Sequence, residues 1–262
     1  MTRIRVELRE GIGRITLARP EKKNALDQRT AVELRSALED LGADDDVRIV
    51  ELGAEGPDFC AGADLEALEA MLDEGAEAHQ RDAEALASVF VVVRALAKPV
   101  VAVVRGRALA GGAGLATACD LVLAHEKAQF GYPEVNVGFV PAMVMTILRR
   151  SVGERQAFDL LATGRLVSAD EALAMGLVSR VFPDTGFDHA VAETIAGLAK
   201  TSPEALQMTK RLFYALDGTS FEDGITLGVH TNVEARSTDA FRQGVRRFAR
   251  RRTGGTDAGL EE

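Results

Sequence analysis

The sequence predicts an α/β fold with a parallel sheet, on three observations. Apolar strand-like runs alternate with amphipathic helical stretches from the N-terminus to about residue 190. One of those runs, Val100-Val-Ala-Val-Val104, has no polar face, as expected of a strand buried on both sides. Beyond about Ala190 the strand signals stop and only helical periodicity continues. The expected organisation is a core over residues 1–190 followed by a mainly helical subdomain over residues 191–262.

The elements follow in order. Ile4-Arg-Val-Glu-Leu8 alternates, Gly11 and Gly13 turn the chain, and Ile15-Thr-Leu17 returns as a hairpin. Arg19-Pro-Glu-Lys-Lys-Asn24 reads as a loop, after which Asp27 is placed to cap a helix carrying Val32, Leu34, Leu38 and Leu41. A buried strand is expected over 47–52, ended by Gly56-Pro57. Phe59-Cys-Ala-Gly-Ala-Asp-Leu65 is a small-residue loop leading into a helix over 66–72, with Asp64 as its cap. A long polar helix over about 77–97 stops before Lys98-Pro99. Next comes the strand Val100–Val104, then a glycine and alanine cluster opening an apolar helix, then a strand over 121–123. Two helical stretches, 190–216 and about 221–250, are interrupted at Thr201-Ser-Pro203 and Asp217-Gly218. The small polar tail over 254–262 is expected to fray.

Composition narrows the function. Apolar residues make up 47% of 262, enough for a sizeable core, while aromatics are 5% and Trp is absent, so Ala, Val, Leu and Gly fill the interior. A net charge of −9 argues against a generic nucleic-acid or anionic-membrane binder. No apolar run approaches the roughly 20 residues that span a bilayer. Cys60 and Cys119 are too few, and too apolar in setting, for a disulfide framework, and no signal peptide is evident. A soluble protein of the cytoplasm is the expectation.

The chemistry concentrates in two segments. Gly106-Arg-Ala-Leu-Ala-Gly-Gly-Ala-Gly114 opens a helix, so unpaired backbone N–H groups face outward at the positive end of its dipole. Twenty residues past Gly114, Phe130-Gly-Tyr-Pro-Glu134 holds a carboxylate in a rigid turn. An amide cradle and one acid suffice to remove a proton beside a carbonyl.

Taken together, these segments resemble the crotonase superfamily, whose members include enoyl-CoA hydratases and isomerases. The resemblance runs nearly end to end. It rests on Arg19-Pro-Glu-Lys-Lys-Asn-Ala-Leu26, Phe59-Cys-Ala-Gly-Ala-Asp64, Lys98-Pro-Val-Val-Ala-Val-Val104 and Leu109-Ala-Gly-Gly-Ala-Gly-Leu115. Cys119-Asp120, Ala128-Gln-Phe-Gly-Tyr-Pro-Glu134, Gly138-Phe-Val-Pro141, Thr163-Gly-Arg165, Ala169-Asp-Glu-Ala172 and Gly176-Leu-Val178 extend it. The resemblance implies a spiral of repeated ββα units with a helical C-terminal oligomerisation subdomain that builds homotrimers or hexamers. It implies an acyl-CoA thioester as substrate, bound bent, with an oxyanion hole from the backbone N–H groups of Ala63 and Gly111 and Glu134 as acid/base. Positions matching substrate and CoA contacts are Lys23, Ala25, Leu26, Cys60, Ala61, Asp64, Leu65, Gly112 and Gly114. Phe248 and Arg251 match residues that reach the nucleotide. No metal or separate cofactor is implied, since CoA is part of the substrate.

Two departures bear on the reaction. Hydratases of the superfamily carry a second glutamate, and here that position is Gly114. The glycine-rich segment usual after Pro141 is replaced by Ala142-Met-Val-Met145, which predicts a bulkier, drier wall. The expected function is enoyl-CoA hydratase/isomerase chemistry of fatty acid metabolism through a stabilised enolate. A pure 3-enoyl to 2-enoyl-CoA isomerase is the first alternative, because one acid suffices for a double-bond shift. A non-catalytic acyl-CoA-binding paralogue is the second.

Other readings weigh less. Asp120 reads as a helix end or a loop anchor rather than an acid, and Tyr132 as either a pocket wall or a packed turn residue. The basic run 246–252 is a solvated face, a phosphate contact for CoA, or an RNA contact that the overall acidity disfavours. His79, His125, His189 and His230 show no metal spacing. Gly-x-Ser-x-Gly is absent, and the glycine cluster fits neither a P-loop nor a dinucleotide fingerprint.

Overall fold

The computed structural model describes residues 2–253, with side chains through Arg250. The chain divides into two compact units, Met1–Ala199 and Lys200–Glu262. In the first, a six-stranded sheet has the order β1-β2-β3-β4-β6-β9. These are β1 (Ile4–Arg9), β2 (Ile12–Leu17), β3 (Ile49–Ala54), β4 (Val100–Val104), β6 (Leu121–His125) and β9 (Arg180–Phe182). Strands β1 and β2 form the expected hairpin with Ile4 opposite Leu17, and every other pair in the sheet is parallel. Four of the five residues of β4 are buried, in keeping with its run of Val and Ala at the centre of the sheet.

Gly13 departs from its expected role. It lies inside β2 rather than in the turn, and a Cβ there would meet Leu41 Cδ2 at 2.8 Å. The two-residue turn is Glu10-Gly11, with φ +53° and +78°, where glycine carries the second at no steric cost.

Helix α1 (Gln28–Ala43) starts at Asp27, whose side chain accepts from Thr30 N. It buries Ala31, Leu34, Ala37, Leu38 and Leu41 and packs against α3 (Ala76–Ala95). Lys98 is buried and donates from Nζ to Leu41 O at 3.0 Å and to Asp44 O, closing the end of α1. A short α2 (Leu65–Ala70) lies between α1 and α3 in sequence.

A second sheet was not visible in the sequence. It joins β5 (Arg107–Leu109), β7 (Gln129–Gly131) and β8 (Leu166–Ser168), each three residues long. Helix α4 (Gly111–Ala118) follows β5, and all of its residues are buried. Three further helices, α5 (Ala142–Ser151), α6 (Glu154–Thr163) and α7 (Ala169–Ala174), surround these strands in sequence. Helix α8 (Phe187–Ala199) buries Phe187, Val191, Ile195 and Ala199, so the first unit runs past residue 190 to Ala199.

The second unit holds α9 (Pro203–Ala215), α10 (Phe221–Ser237) and α11 (Asp239–Thr253). The expected stretch over 221–250 is broken at Thr238, whose backbone is extended and whose Oγ1 accepts from Phe241 N at 3.2 Å to begin α11. Among the described residues, no helix is long and apolar enough to cross a membrane, and no group of three or more His, Cys, Asp and Glu is placed to hold a metal ion.

Candidate active site

Four chain segments lie side by side and run in one direction. Leu26 pairs with Ala63 and Cys60 with Ala108 in parallel bridges, and β5 pairs in parallel with β7, Leu109 opposite Gly131. Each segment therefore leaves at the same edge, one into Asp27, one into Asp64, one into Gly111 and one toward Glu134. The carboxyl ends of adjacent parallel strands are where α/β folds place their sites.

The segments carrying Ala63 and Gly111 lie next to each other here. Leu26 N donates to Gly62 O at 2.7 Å and Asp64 N to Leu26 O at 2.9 Å. Alternation along a parallel ladder then turns the Ala63 N–H to the opposite side, which is the side of Ala110 and Gly111. A Cβ built on Gly62 would lie 2.8 Å from Ala110 Cβ and 3.4 Å from Gly111 N, so the two segments are in contact. Gly111 is the first residue of α4, where a backbone N–H has no partner within the helix. Ala110, before it, has φ +49° and ψ −125°, a conformation that strains any residue with a Cβ.

Glycine at 112 is dictated by space. A Cβ there would lie 2.4 Å from Cys60 O and 2.7 Å from Cys60 Sγ. Cys60 itself is fully enclosed, and burial pushes its thiol up to about 12.

Glu134 sits in the 3-10 turn Pro133–Val137 that leaves β7. Its position is fixed from both sides. Ala110 N donates to Gly131 O at 2.8 Å, and the buried Tyr132 hydroxyl meets Thr117 Oγ1 of α4 at 2.9 Å. Tyr132 is therefore a packed turn residue. The Glu134 carboxylate is half-buried, and its Oε2 is the only buried carboxylate oxygen without a hydrogen-bond partner among the described residues. Burial pushes its pKa above the ordinary glutamate range, which is the tuning a general base near neutral pH requires. Asp27 and Asp64 leave the same edge but are committed to capping helices and to Arg19.

Position 114 is occupied by its neighbours. A Cβ on Gly114 would lie 2.2 Å from Val144 Cγ1 and 3.4 Å from Phe90 Cζ. The wall expected from Ala142–Met145 holds a specific plug: Val144 of α5 fills the place where a side chain at 114 would begin. The sequence pointed to the segment but not to Val144. Gly111 faces Leu86 and Leu26, with Leu86 Cδ2 3.5 Å from its would-be Cβ, so α3 lines the apolar side of the site through Leu86 and Phe90. The only sequence signal for those two was their four-residue spacing.

The remaining expected contacts are as follows. Ala25 and Leu26 are buried, while Lys23 is exposed, with φ +52° and a carbonyl that accepts from Ala61 N at 3.0 Å. Ala61 is partly exposed and Leu65 is 72% exposed. Phe248 is an exposed residue of α11 in the second unit, and the Arg251 side chain lies outside the described residues. Asp120 anchors a loop, Oδ2 accepting from Val100 N at 2.6 Å.

Comparison with known proteins accords with this geometry. Residues 7–255 match the family model described as enoyl-CoA hydratase/isomerase. A Thermus thermophilus protein named "Putative enoyl-CoA hydratase" is 46% identical over 89% of this chain and 92% of its own length. The crystal structure of an enoyl-CoA hydratase from Mycobacterium smegmatis superposes with a TM-score of 0.91 at 32% identity, covering 95% of this chain and 96% of that one. Human enoyl-CoA hydratase domain-containing protein 3 does so with a TM-score of 0.91 at 28% identity, covering 95% and 98%. On these matches the chain belongs to the enoyl-CoA hydratase/isomerase family of the crotonase superfamily, and is an enzyme of that family.

Proposed function

We propose that the protein moves the double bond of an unsaturated acyl-CoA, converting a 3-enoyl to a 2-enoyl thioester with Glu134 as the one proton carrier. The observation that carries this reading is the plug at position 114. Val144, with Phe90 beside it, occupies the space in which the side chain of a second acid at 114 would begin. Hydration needs a water held and activated; a double-bond shift does not.

In this scheme the Glu134 carboxylate takes a proton from C2, and the electron pair moves into the thioester carbonyl. The resulting dienolate oxygen sits between the Ala63 and Gly111 N–H groups. Removing one donor of such a pair typically costs about 10²–10³ in rate. Protonated Glu134 then returns the proton to C4, leaving the double bond conjugated. The substrate gains and loses one proton, and no other reactant is needed.

A second reading is hydration with Glu134 acting twice, supported by the names of the relatives. Incubation with crotonyl-CoA and, separately, 3-hexenoyl-CoA decides between them by mass spectrometry and ultraviolet absorbance. A product one water heavier than crotonyl-CoA supports hydration. Conjugation of 3-hexenoyl-CoA without mass change supports isomerisation. Reaction of neither substrate favours a paralogue that only binds acyl-CoA. The same reading carries a homotrimeric or hexameric assembly, a role in fatty acid metabolism and a cytoplasmic setting; sedimentation and cell fractionation test the first and last.

A further inference from the structure

The motif Arg19–Leu26 has no part in the scheme above, yet it holds a buried guanidinium. Arg19 is 6% exposed, and its Nε is buried without a partner. Enclosing a cation with an unsatisfied N–H is unfavourable unless the rest of the group does something the chain needs. Its two terminal nitrogens reach three residues on two segments. Nη1 donates to Ala25 O at 3.0 Å and to Asp27 Oδ2 at 3.2 Å, and Nη2 donates to Asp64 Oδ2 at 2.8 Å. Both aspartates divide their labour. Oδ1 of Asp27 caps α1 through Thr30 N, while its Oδ2 is shared between Arg19 and Arg3, whose Nη2 lies 2.8 Å away. Oδ1 of Asp64 caps α2 through Glu66 N and Ala67 N, leaving its Oδ2 for Arg19.

Asn24 completes the arrangement. Its Oδ1 accepts from Arg19 N at 2.8 Å, and its Nδ2 donates to Glu55 O and Asp58 O at 2.8 and 2.9 Å. One guanidinium thus joins the caps of two helices and the two strand ends that carry Leu26 and Ala63. Ala63 is the residue before Asp64.

We infer that Arg19 is a positioning residue: through Asp64 it sets the direction of the Ala63 N–H, and so the strength of the oxyanion hole. Burial alone would raise the Asp64 carboxyl, but hydrogen bonds from Arg19 and from the Ala67 and Glu66 N–H groups outweigh it and hold it below the usual range. The pair is therefore charged at working pH, and the fork geometry of arginine is what a lysine cannot supply.

This inference rests on the oxyanion reading of Ala63, and the experiment separates the two. The probe is 4-dimethylaminocinnamoyl-CoA, whose absorbance moves to longer wavelength when its thioester carbonyl is polarised. The unaltered protein is expected to red-shift the bound probe; no shift overturns the oxyanion reading and this inference with it. Arg19→Lys is expected to keep the fold by circular dichroism and bind the probe within about threefold. It should lose much of the red shift and about 10–100-fold in kcat, a fraction of the loss of a whole donor. Asp64→Asn keeps a cap and is expected to behave in the same way if Arg19→Lys does not fold. A purely structural role would lower the melting temperature but leave the red shift per bound probe and kcat per folded site unchanged. That result in either folded variant overturns the inference.

Discussion

Gly114→Glu puts the missing acid back, and the structure says it will not fit. The new Cβ would stand 2.2 Å from Val144 Cγ1 and 3.1 Å from Val144 Cβ, before any of the carboxylate is placed. Overpacking of this kind costs about 1–3 kcal/mol. In a chain of this size that lowers the melting temperature by roughly 2–12 °C. Val144→Ala removes the 2.2 Å conflict and leaves the 3.1 Å approach, which a shift of a few tenths of an ångström relieves. The double variant is therefore expected to be more stable than Gly114→Glu alone, with a coupling of about 0.5–3 kcal/mol. Thermal unfolding of the four proteins in the cycle measures that coupling, and hydration of crotonyl-CoA measures the chemistry. Hydration is expected to rise in the double variant and not in Gly114→Glu. A single variant with unaltered melting temperature, or one that hydrates as fast as the double, would show that Val144 does not hold this space.

Glu134→Gln should lower turnover at least about 10²-fold while leaving CoA affinity intact, because it removes the proton carrier and little volume; unchanged turnover discards the assignment. Because burial raises the Glu134 pKa, kcat/KM should fall as pH drops through a value above that of an ordinary glutamate, and an unshifted acid limb contradicts the burial argument. The linkage has the opposite sign to that of a salt-bridged carboxylate. A group with a raised folded pKa costs stability as pH climbs past its unfolded value, so Glu134→Gln should stabilise the protein more at pH 8 than at pH 4. Ala110→Gly releases a strained backbone worth about 1–3 kcal/mol and gives back about 0.5–1 kcal/mol of unfolded-state entropy, so denaturant unfolding should show an equal or more stable protein. Gly112→Ala drives a Cβ to 2.4 Å from a backbone oxygen that cannot move freely, and loss of the folded protein at 37 °C is the expected readout.

Residues whose role is written in local chemistry were legible in the sequence. Asp27 and Asp64 were read as caps because a short acceptor before an apolar-periodic run has one good use, and both cap. Val100–Val104 announced itself by lacking a polar face. The strands β5, β7 and β8 did not, since three residues carry no period and their pairing partners lie 20 or more positions away. Gly114 was identified as a departure, but its cause was not visible. Val144 sits 30 positions downstream, and nothing in its own neighbourhood tells that it points at a glycine. The role of Arg19 is not legible in its neighbourhood, because an arginine in a loop reads as solvated until its burial is known.

The four strand ends at the site come from positions 26, 63, 109 and 131. Among them they span about two-fifths of the chain, and none is functional without the others. Contacts of such sequence separation form late, after the entropy of closing long loops has been met. A nascent or partly unfolded chain therefore holds no weak version of the site; it holds none. Catalysis by this protein doubles as a report of completed folding, and any fragment that stops short of Glu134 should be silent however well its first strands pair.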